Sequence, residues 1–228
     1  MRGLRLDRLE VAGVCPSLSL DVRAGEVRAA IVPDQQAVHA LANTVVGLEE
    51  PDDGRVLVDN TAVSGQHADH RHHRRHRSGR RSRHCRIRLV PAGGGLVPEL
   101  TVLDNIVNAQ CPTARASREQ SDEMVDDAID AFGLHPLVDR RPERLTDGER
   151  RLAGLALALC WEPSAVVLED APGLPTWDAV LAEQRRRRSP EPGVEPFAGV
   201  AVLLITTDAA RAWQLDGDPV GLEPGGHR

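Results

Sequence analysis

The spacing of apolar residues in the first part of the chain changes from a β period to a helical one. Between residues 4 and 20 apolar and polar positions roughly alternate, which predicts two short strands at the edge of a sheet. The apolar run at residues 27–32 predicts a buried strand. Apolar positions from Ala37 to Val45 then recur at helical spacing, and Gly47 is placed to end the predicted helix.

The rest of the chain alternates predicted strands with predicted helices. Such alternation is typical of an α/β fold with a mostly parallel sheet that helices cover on both faces. An arginine- and proline-rich stretch at residues 184–196 predicts a surface loop. The further strands are expected at residues 56–58, 88–90, 165–168 and 200–205, and the further helices at residues 102–108, 119–132 and 148–161. For the helix at 119–132, Ser117 is the expected N-cap and Gly133 the expected stop.

The amino-acid composition limits both the core and the chemistry. Apolar residues make up 41% of the 228 residues but aromatic residues only 2%, so the core has to be built from Leu, Val, Ile and Ala. All 28 basic residues are arginine. A mechanism that needs a lysine as a Schiff base, a nucleophile or a phosphate ligand is therefore excluded.

Several features predict a cytoplasmic chain. No stretch approaches the roughly 18 apolar residues that span a bilayer, and the first residues are charged. The cysteines lack CxxC spacing, which predicts reduced thiols and no metal site. The net charge of −6 gives no general signal for nucleic acid. The cysteines are Cys15, Cys85, Cys111 and Cys160.

Residues 66–86 form a tract of histidine and arginine that is too polar for a core. A solvated loop is the simplest interpretation. A patch for anionic lipid headgroups or nucleic acid is a second interpretation, and capture of a divalent metal by the histidines is a third. The histidines concerned are His67, His70, His72, His73 and His76.

Six segments, in order along the chain, resemble the framework of the ATP-binding subunits of ABC transporters, in particular the short subunits of the lipoprotein-release and macrolide-export branch. The resemblance covers essentially the whole chain and implies one α/β domain, residues 1–228. Its P-loop NTPase-like core with an antiparallel β edge would comprise residues 1–92 and 160–228, and its helical insert with the signature helix residues 93–159. The segments are AGEV, GLEEPDDGRVLVD, VPAGGGLVPELTVLDNI, VDRRPERLTDGERRLAGLALAL, AVVLED and VAVLLITTD.

The family's phosphate loop, G-x-x-G-x-G-K-[ST], aligns with residues 32–39. Such a loop holds phosphates with backbone N–H groups, a lysine and a hydroxyl that binds Mg²⁺. None of the glycines, the lysine or the hydroxyl is present here, so a plain turn from strand to helix is expected. The glycines fall on Val32, Gln35 and Ala37, the lysine on Val38 and the hydroxyl on His39, with Gln36 between them.

Three further functional positions of the family are also altered. The glutamine that senses Mg²⁺ falls on Ala92, and the switch histidine that contacts the terminal phosphate falls on Thr207. An aromatic residue that could stack on adenine is missing, because the chain has no Tyr and its first aromatic residue is Phe132. All three changes indicate a site that has lost its nucleotide contacts.

The acid pair after the second core strand allows two alignments. Without a gap, the family's Mg²⁺-binding Asp falls on Glu169 and its catalytic Glu on Asp170. With one inserted residue, Asp170 becomes the metal-side Asp and Ala171 replaces the catalytic Glu. In both alignments the general base is shortened or missing, and such a base supplies about 10²–10⁴-fold of rate.

The family's signature, LSGGQ, aligns with residues 145–149. In the family's dimers the signature of one subunit closes over the nucleotide that the other subunit holds, at a helix N-terminus. Thr146 and Gly148 keep donors, whereas Asp147 places a carboxylate where a glycine would face the phosphates, and like charges repel. Support of a partner's site is therefore impaired. The aligned residues are Leu145, Thr146, Asp147, Gly148 and Glu149.

The resemblance and the altered positions lead to three hypotheses. The first is a catalytically impaired subunit that docks on an ABC permease at the inner face of the membrane, beside an active ATP-binding subunit or a second copy of itself. The second is an active ATPase with an atypical site that binds ATP and Mg²⁺. The third is a binding module outside transport that uses the histidine and arginine tract. No specific nucleic acid and no structural metal are expected.

Overall fold

The computed structural model describes residues 2–63, 86–109, 117–187 and 197–222. The strands of this part of the chain are β1 (Gly3–Val11), β2 (Cys15–Arg23), β3 (Val27–Ile31), β4 (Asp53–Val58), β5 (Thr61–Ala62), β6 (Ile87–Val90), β7 (Ala165–Glu169), β8 (Ala201–Thr206) and β9 (Val220–Gly221). The helices are α1 (Gln35–Val46), α2 (Val102–Asn108), α3 (Arg118–Phe132), α4 (Asp147–Leu159), α5 (Trp177–Arg187) and α6 (Ala209–Leu215), with short 3₁₀ turns at His135–Leu137 and Pro142–Arg144.

The strands form two sheets of different kinds. A parallel sheet has the order β6-β7-β8-β3-β9, and an antiparallel sheet has the order β2-β1-β4-β5. The expected α/β class with a parallel sheet and an antiparallel β edge is confirmed. The first two predicted strands are longer than expected, at nine residues each, and they pair directly with one another.

The parallel sheet is buried on both faces, because successive side chains of a strand point to opposite sides. On β7, Ala165 and Val167 face one apolar layer, which α1 and the antiparallel sheet complete. Val166 and Leu168 face a second layer, made with α2 to α6. All four side chains are at most 1% exposed. The continuous apolar runs of the sequence therefore mark strands that are covered on both sides.

Helix ends follow the signals in the sequence. Helix α1 ends at Gly47 in the left-handed conformation, with φ of 79°. Helix α3 begins at Ser117, whose side chain accepts from the backbone N–H of Gln120, and ends at Gly133 with φ of 58°. Both glycines occupy a conformation that an L side chain disfavours. The predicted ends of these helices are thus confirmed.

Some predictions differ from the structure. The stretch at residues 184–196 was expected to be a loop, but residues 184–187 are the last turn of α5, and Gln184 is only 1% exposed. The prediction failed because it gave more weight to the four arginines at 185–188 than to the apolar helical face formed by the preceding residues. The short elements α6, β5 and β9 were not predicted.

Other predictions fall wholly or partly outside the described residues. They concern the histidine and arginine tract, except Arg86, and two of the cysteines, Cys85 and Cys111. Cys15 and Cys160 are buried free thiols. Burial raises the pKa of Cys160 to about 11. Among the residues that the structure describes, no helix has the length and apolar character needed to cross a membrane.

Candidate functional site

The turn from β3 to α1 is short, and two backbone N–H groups at the start of α1 are bonded to Asp34. Strand β3 ends at Ile31 and α1 begins at Gln35, so residues 35–39 of the aligned phosphate loop are helical. The side chain of Asp34 accepts from the N–H of Ala37 at 2.8 Å, and its carbonyl accepts from the N–H of Val38 at 3.1 Å. A carboxylate therefore stands at the helix N-terminus, where an anion would otherwise bind.

Three side chains of this turn belong to the apolar layer. Val32, Ala37 and Val38 are 2%, 4% and 0% exposed, and they pack with side chains of the antiparallel sheet. Gln36 points to solvent. The alignment places the family's lysine at Val38, which here fills the core. The structure thus explains the local sequence as a packed turn from strand to helix.

Glu169, at the end of β7, is brought together with two of the candidate positions. One carboxylate oxygen, Oε1, lies 3.0 Å from His39 Nδ1, and the other, Oε2, accepts from the N–H of Ala92 at 3.4 Å. The Glu169 side chain is 4% exposed, and that of His39 is 54% exposed. The imidazole of His39 therefore lies beside the Glu169 carboxylate, at the position that aligns with the family's Mg²⁺-binding hydroxyl.

Asp170 faces away from His39 and contacts two arginines. Arg151 of α4 donates to Asp170 Oδ1 at 3.0 Å, and Arg211 of α6 donates to both oxygens at 3.0 Å. The hydroxyl of Thr206 donates to Oδ2 at 3.1 Å. The Asp170 side chain is 3% exposed, so these contacts occur out of reach of bulk water.

Arg151 is fully buried between apolar and carbonyl groups. Its guanidinium lies 4.0 Å from the ring centroid of Trp177, a cation–π arrangement. It also donates to the carbonyls of Glu169, at 3.2 Å, and Pro175. Burial lowers the pKa of Arg151, and the carboxylate of Asp170 acts in the opposite direction. The carboxylate and these carbonyls accept from the two terminal nitrogens, whereas Nε is buried without a partner.

The two acids of the pair have different partners. Arg151 and Arg211 both bind the Asp170 carboxylate, whereas the Glu169 carboxylate contacts His39 and the N–H of Ala92. Thr207, the aligned switch position, follows β8, but the neighbouring Thr206 is the residue that reaches the acid pair. No group of three or more His, Cys, Asp or Glu suited to a metal occurs among the described residues.

The side chains of the signature segment cap the N-terminus of α4. The hydroxyl of Thr146 accepts from the N–H of Glu149 at 3.2 Å, and Glu149 accepts from the N–H of Thr146 at 2.9 Å, which is a capping box. Asp147 pairs with Arg150, and Glu149 pairs with Arg187 at 3.2 Å. Burial raises the pKa of Glu149, but the bonds from Thr146 and Arg187 outweigh it and leave that pKa lowered.

Sequence reasoning missed the residues that surround Asp170. Arg151 and Arg211 lie 19 and 41 residues away from it along the chain, so no local spacing connects them. One signal was present for Arg151, because it shares a helical face with Leu155 and Ala158, both buried. A charged residue on an apolar face requires a buried partner.

The fold and this arrangement define an ATP-binding subunit of the ABC type. The ABC transporter family model matches residues 39–172, more than half of the chain. The chain therefore belongs to the ABC transporter ATP-binding domain family, and the resemblance described above is confirmed.

Relatives of known role include transport proteins of several kinds. The sulfate/thiosulfate import ATP-binding protein CysA of Pseudomonas syringae is 29% identical over 75% of this chain and 48% of its own. The lipoprotein-releasing system ATP-binding protein LolD of Saccharophagus degradans is 27% identical over 70% and 66%. The trehalose/maltose import ATP-binding protein MalK of Thermococcus litoralis is 27% identical over 97% and 57%. The chain thus spans about half to two thirds of these relatives.

Solved structures share the fold. An ATP-binding subunit of an ABC transporter superposes with a TM-score of 0.68 at 18% identity, over 97% of this chain and 86% of that one. CbiO1 of Clostridium perfringens, part of the transporter complex CbiONQ, superposes with a TM-score of 0.63 at 18% identity, over 90% and 78%. At this identity the likeness establishes the architecture alone.

Proposed function

We propose that this protein is a non-hydrolysing ATP-binding-subunit homologue that docks on a membrane permease at its cytoplasmic face, paired with an active subunit. Membership of the ABC transporter ATP-binding domain family supports the transport setting. The relatives are named as import and release subunits for sulfate, sugars and lipoproteins. The role of this chain in such a pair would be to complete the dimer and to transmit its shape.

The carboxylate of Asp34 at the N-terminus of α1, together with the buried Val38, is the observation that carries the proposal. Binding of a triphosphate needs free N–H groups and positive charge at this place. Here the N–H of Ala37 is bonded to Asp34, and Val38 is buried where a lysine would be needed. A phosphate at this helix end would meet the Asp34 carboxylate. The residues present do not fit ATP with Mg²⁺.

The acid pair supports the same conclusion. The contact between Glu169 and His39 favours the gapless alignment, in which Asp170 stands at the general-base position. Asp170 accepts from two guanidinium groups and a hydroxyl, so its lone pairs are engaged. With its oxygens engaged in this way, Asp170 has no lone pair directed at an attacking water, and loss of the base removes about 10²–10⁴-fold of rate.

Two exposed apolar side chains of the predicted helical insert offer contacts for the permease. Val97 is 48% exposed and Val107 of α2 is 37% exposed. Asn105 of α2, which is 3% exposed, accepts from the N–H of Val97 at 2.7 Å and donates to the Val97 carbonyl at 3.2 Å, so it ties the two segments together. Because both segments follow Ala92 in the chain, they would report the state of the site to a docked partner.

The direct test is titration of the purified chain with Mg-ATP by calorimetry, together with a phosphate-release assay. We expect neither heat of binding at micromolar concentration nor turnover, while an intact homologue gives both. Hydrolysis that the Asp170→Asn variant abolishes would establish instead an active ATPase with an atypical site. Val97→Asp and Val107→Asp should weaken capture of the chain by its permease partner, and Gln36→Asp, on the exposed side of α1, is the matched control.

A further inference from the structure

Three elements of the fold converge on Asp170. The carboxylate follows β7, Arg151 comes from α4 and Arg211 from α6. Thr206, the last residue of β8, completes the group. We refer to Asp170, Arg151, Arg211 and Thr206 as the Asp170 cluster. Because α4 belongs to the predicted helical insert, the cluster joins the insert to the sheet.

The same two arginines also bind the turn that follows the acid pair. Arg211 donates to the carbonyls of Ala171, at 3.1 Å, and Leu174, at 3.0 Å. Arg151 donates to the carbonyl of Pro175. Turn residues 171–175 are thus held from both sides by guanidinium groups that Asp170 positions. Bonds to charged donors are stronger than neutral ones, so this turn has little freedom.

We propose that the Asp170 cluster does internally what a bound nucleotide with its metal would do, namely fix the helical insert and α6 against the parallel sheet. The proposal deepens the function proposed above and rests on it, since the chain must keep its shape without ligand. The guanidinium groups of Arg151 and Arg211 replace the positive charge that a bound metal ion would supply. The chain therefore stays in one conformation at any nucleotide concentration. Its partner subunit then closes and opens against a constant surface.

Hydrogen exchange measured by mass spectrometry on the full chain, without nucleotide, tests the proposal. In Arg211→Gln we expect exchange of α6 and of the Leu174 N–H, which bonds the Ala171 carbonyl at 3.5 Å, to rise about 10- to 100-fold, the range for loss of charge-assisted bonds. Exchange in β1 and β2 should stay unchanged. Arg5→Gln is the matched control, because Arg5 forms an ion pair with Asp21 at 2.5 Å on the antiparallel sheet, with both side chains 45% exposed.

A double-mutant cycle tests whether Asp170 and Arg211 act together or contribute independently. In the Asp170→Asn background, the rise in exchange caused by Arg211→Gln should be at least about fivefold smaller than in the wild type, because Arg211 has already lost its carboxylate partner. If the two effects multiply, or if Arg211→Gln alone leaves α6 protected, the proposal is wrong. Should Arg211→Gln fail to fold, Arg211→Lys keeps the charge without the fork and should raise exchange by a smaller factor.

The two proposals can fail separately. Micromolar binding of Mg-ATP together with turnover by the wild-type chain would overturn the non-hydrolysing function. The coupling between residues 170 and 211 is measured without nucleotide, so it would stand or fall on its own. A wild-type chain whose α4 and α6 gain protection on addition of Mg-ATP would overturn both.

Discussion

Gly154, on α4, is a position where the addition of a single methyl group should strongly lower the free energy of unfolding. Its backbone lies directly against Gly94, so that an added Cβ would overlap the Gly94 carbonyl oxygen and lie 2.7 Å from its carbonyl carbon and Cα. An ordinary contact begins near 3.4 Å, so α4 and the segment after Ala92 would have to separate by at least about 0.7 Å. Gly94 cannot adapt, because its φ is +92° and it abuts the backbone of Arg150.

The expected cost of Gly154→Ala is the overpacking term less the gain in helix propensity. Overpacking costs about 1–3 kcal/mol, and alanine gains up to about 1 kcal/mol over glycine in a helix. Because both contact partners are backbone, we expect a net loss of about 2 kcal/mol, at the upper end of that range. Urea unfolding followed by far-UV circular dichroism measures it.

Gly148→Ala, in the same helix, is the matched control. Its added Cβ would meet only Pro175 Cγ, at 3.9 Å, so this variant should be as stable as the wild type or slightly more so. If Gly154→Ala and Gly148→Ala unfold at the same urea concentration, the close approach of α4 to Gly94 is not rigid, and the reasoning is refuted.

Three further predictions concern the ends of α1 and α6. Asp34→Ala should lower the free energy of unfolding by about 1 kcal/mol, the usual value of an N-cap, as measured by urea unfolding. Burial raises the pKa of Asp216, but the N–H groups of Asp218 and Ala29, with the guanidinium of Arg28, leave it lowered. This contribution to stability is complete above the ordinary aspartate pKa of about 3.9 and is lost as the pH falls through the folded-state pKa. In Asp216→Asn, the free energy of unfolding should therefore fall less steeply with decreasing pH than in the wild type. Val38→Lys should cost roughly 3–5 kcal/mol in unfolding free energy and gain no affinity for Mg-ATP in calorimetry, because a lysine there is buried without a partner and Asp34 still caps the helix.

The sequence was sufficient for the elements whose signals are local. The helix ends at Gly47, Ser117 and Gly133 follow from backbone chemistry, and each is where it was expected. Helix α5 was missed although Trp177, Val180, Leu181 and Gln184 recur at helical spacing, since the arginines that follow were given more weight. The two-residue strand β9 exists only through its pairing with β3, which no local pattern encodes.

The candidate site shows the same division between local and distant signals. The altered residues at 35–39 could be read from the sequence, whereas the ion pairs of Asp170 depend on helices that approach it from distant parts of the chain. Thr206, the last residue of β8, reaches the acid pair, whereas the alignment singled out Thr207, so alignment alone did not identify the contacting side chain.

The packing of Val32, Ala37 and Val38 into the apolar layer has an evolutionary consequence. Glycine at either of the first two positions removes core contacts, and lysine at the third inserts a charge among them, so each of these three steps toward a phosphate loop loses stability. If the chain binds no nucleotide, as proposed, these losses would oppose a return of the phosphate loop by one substitution at a time.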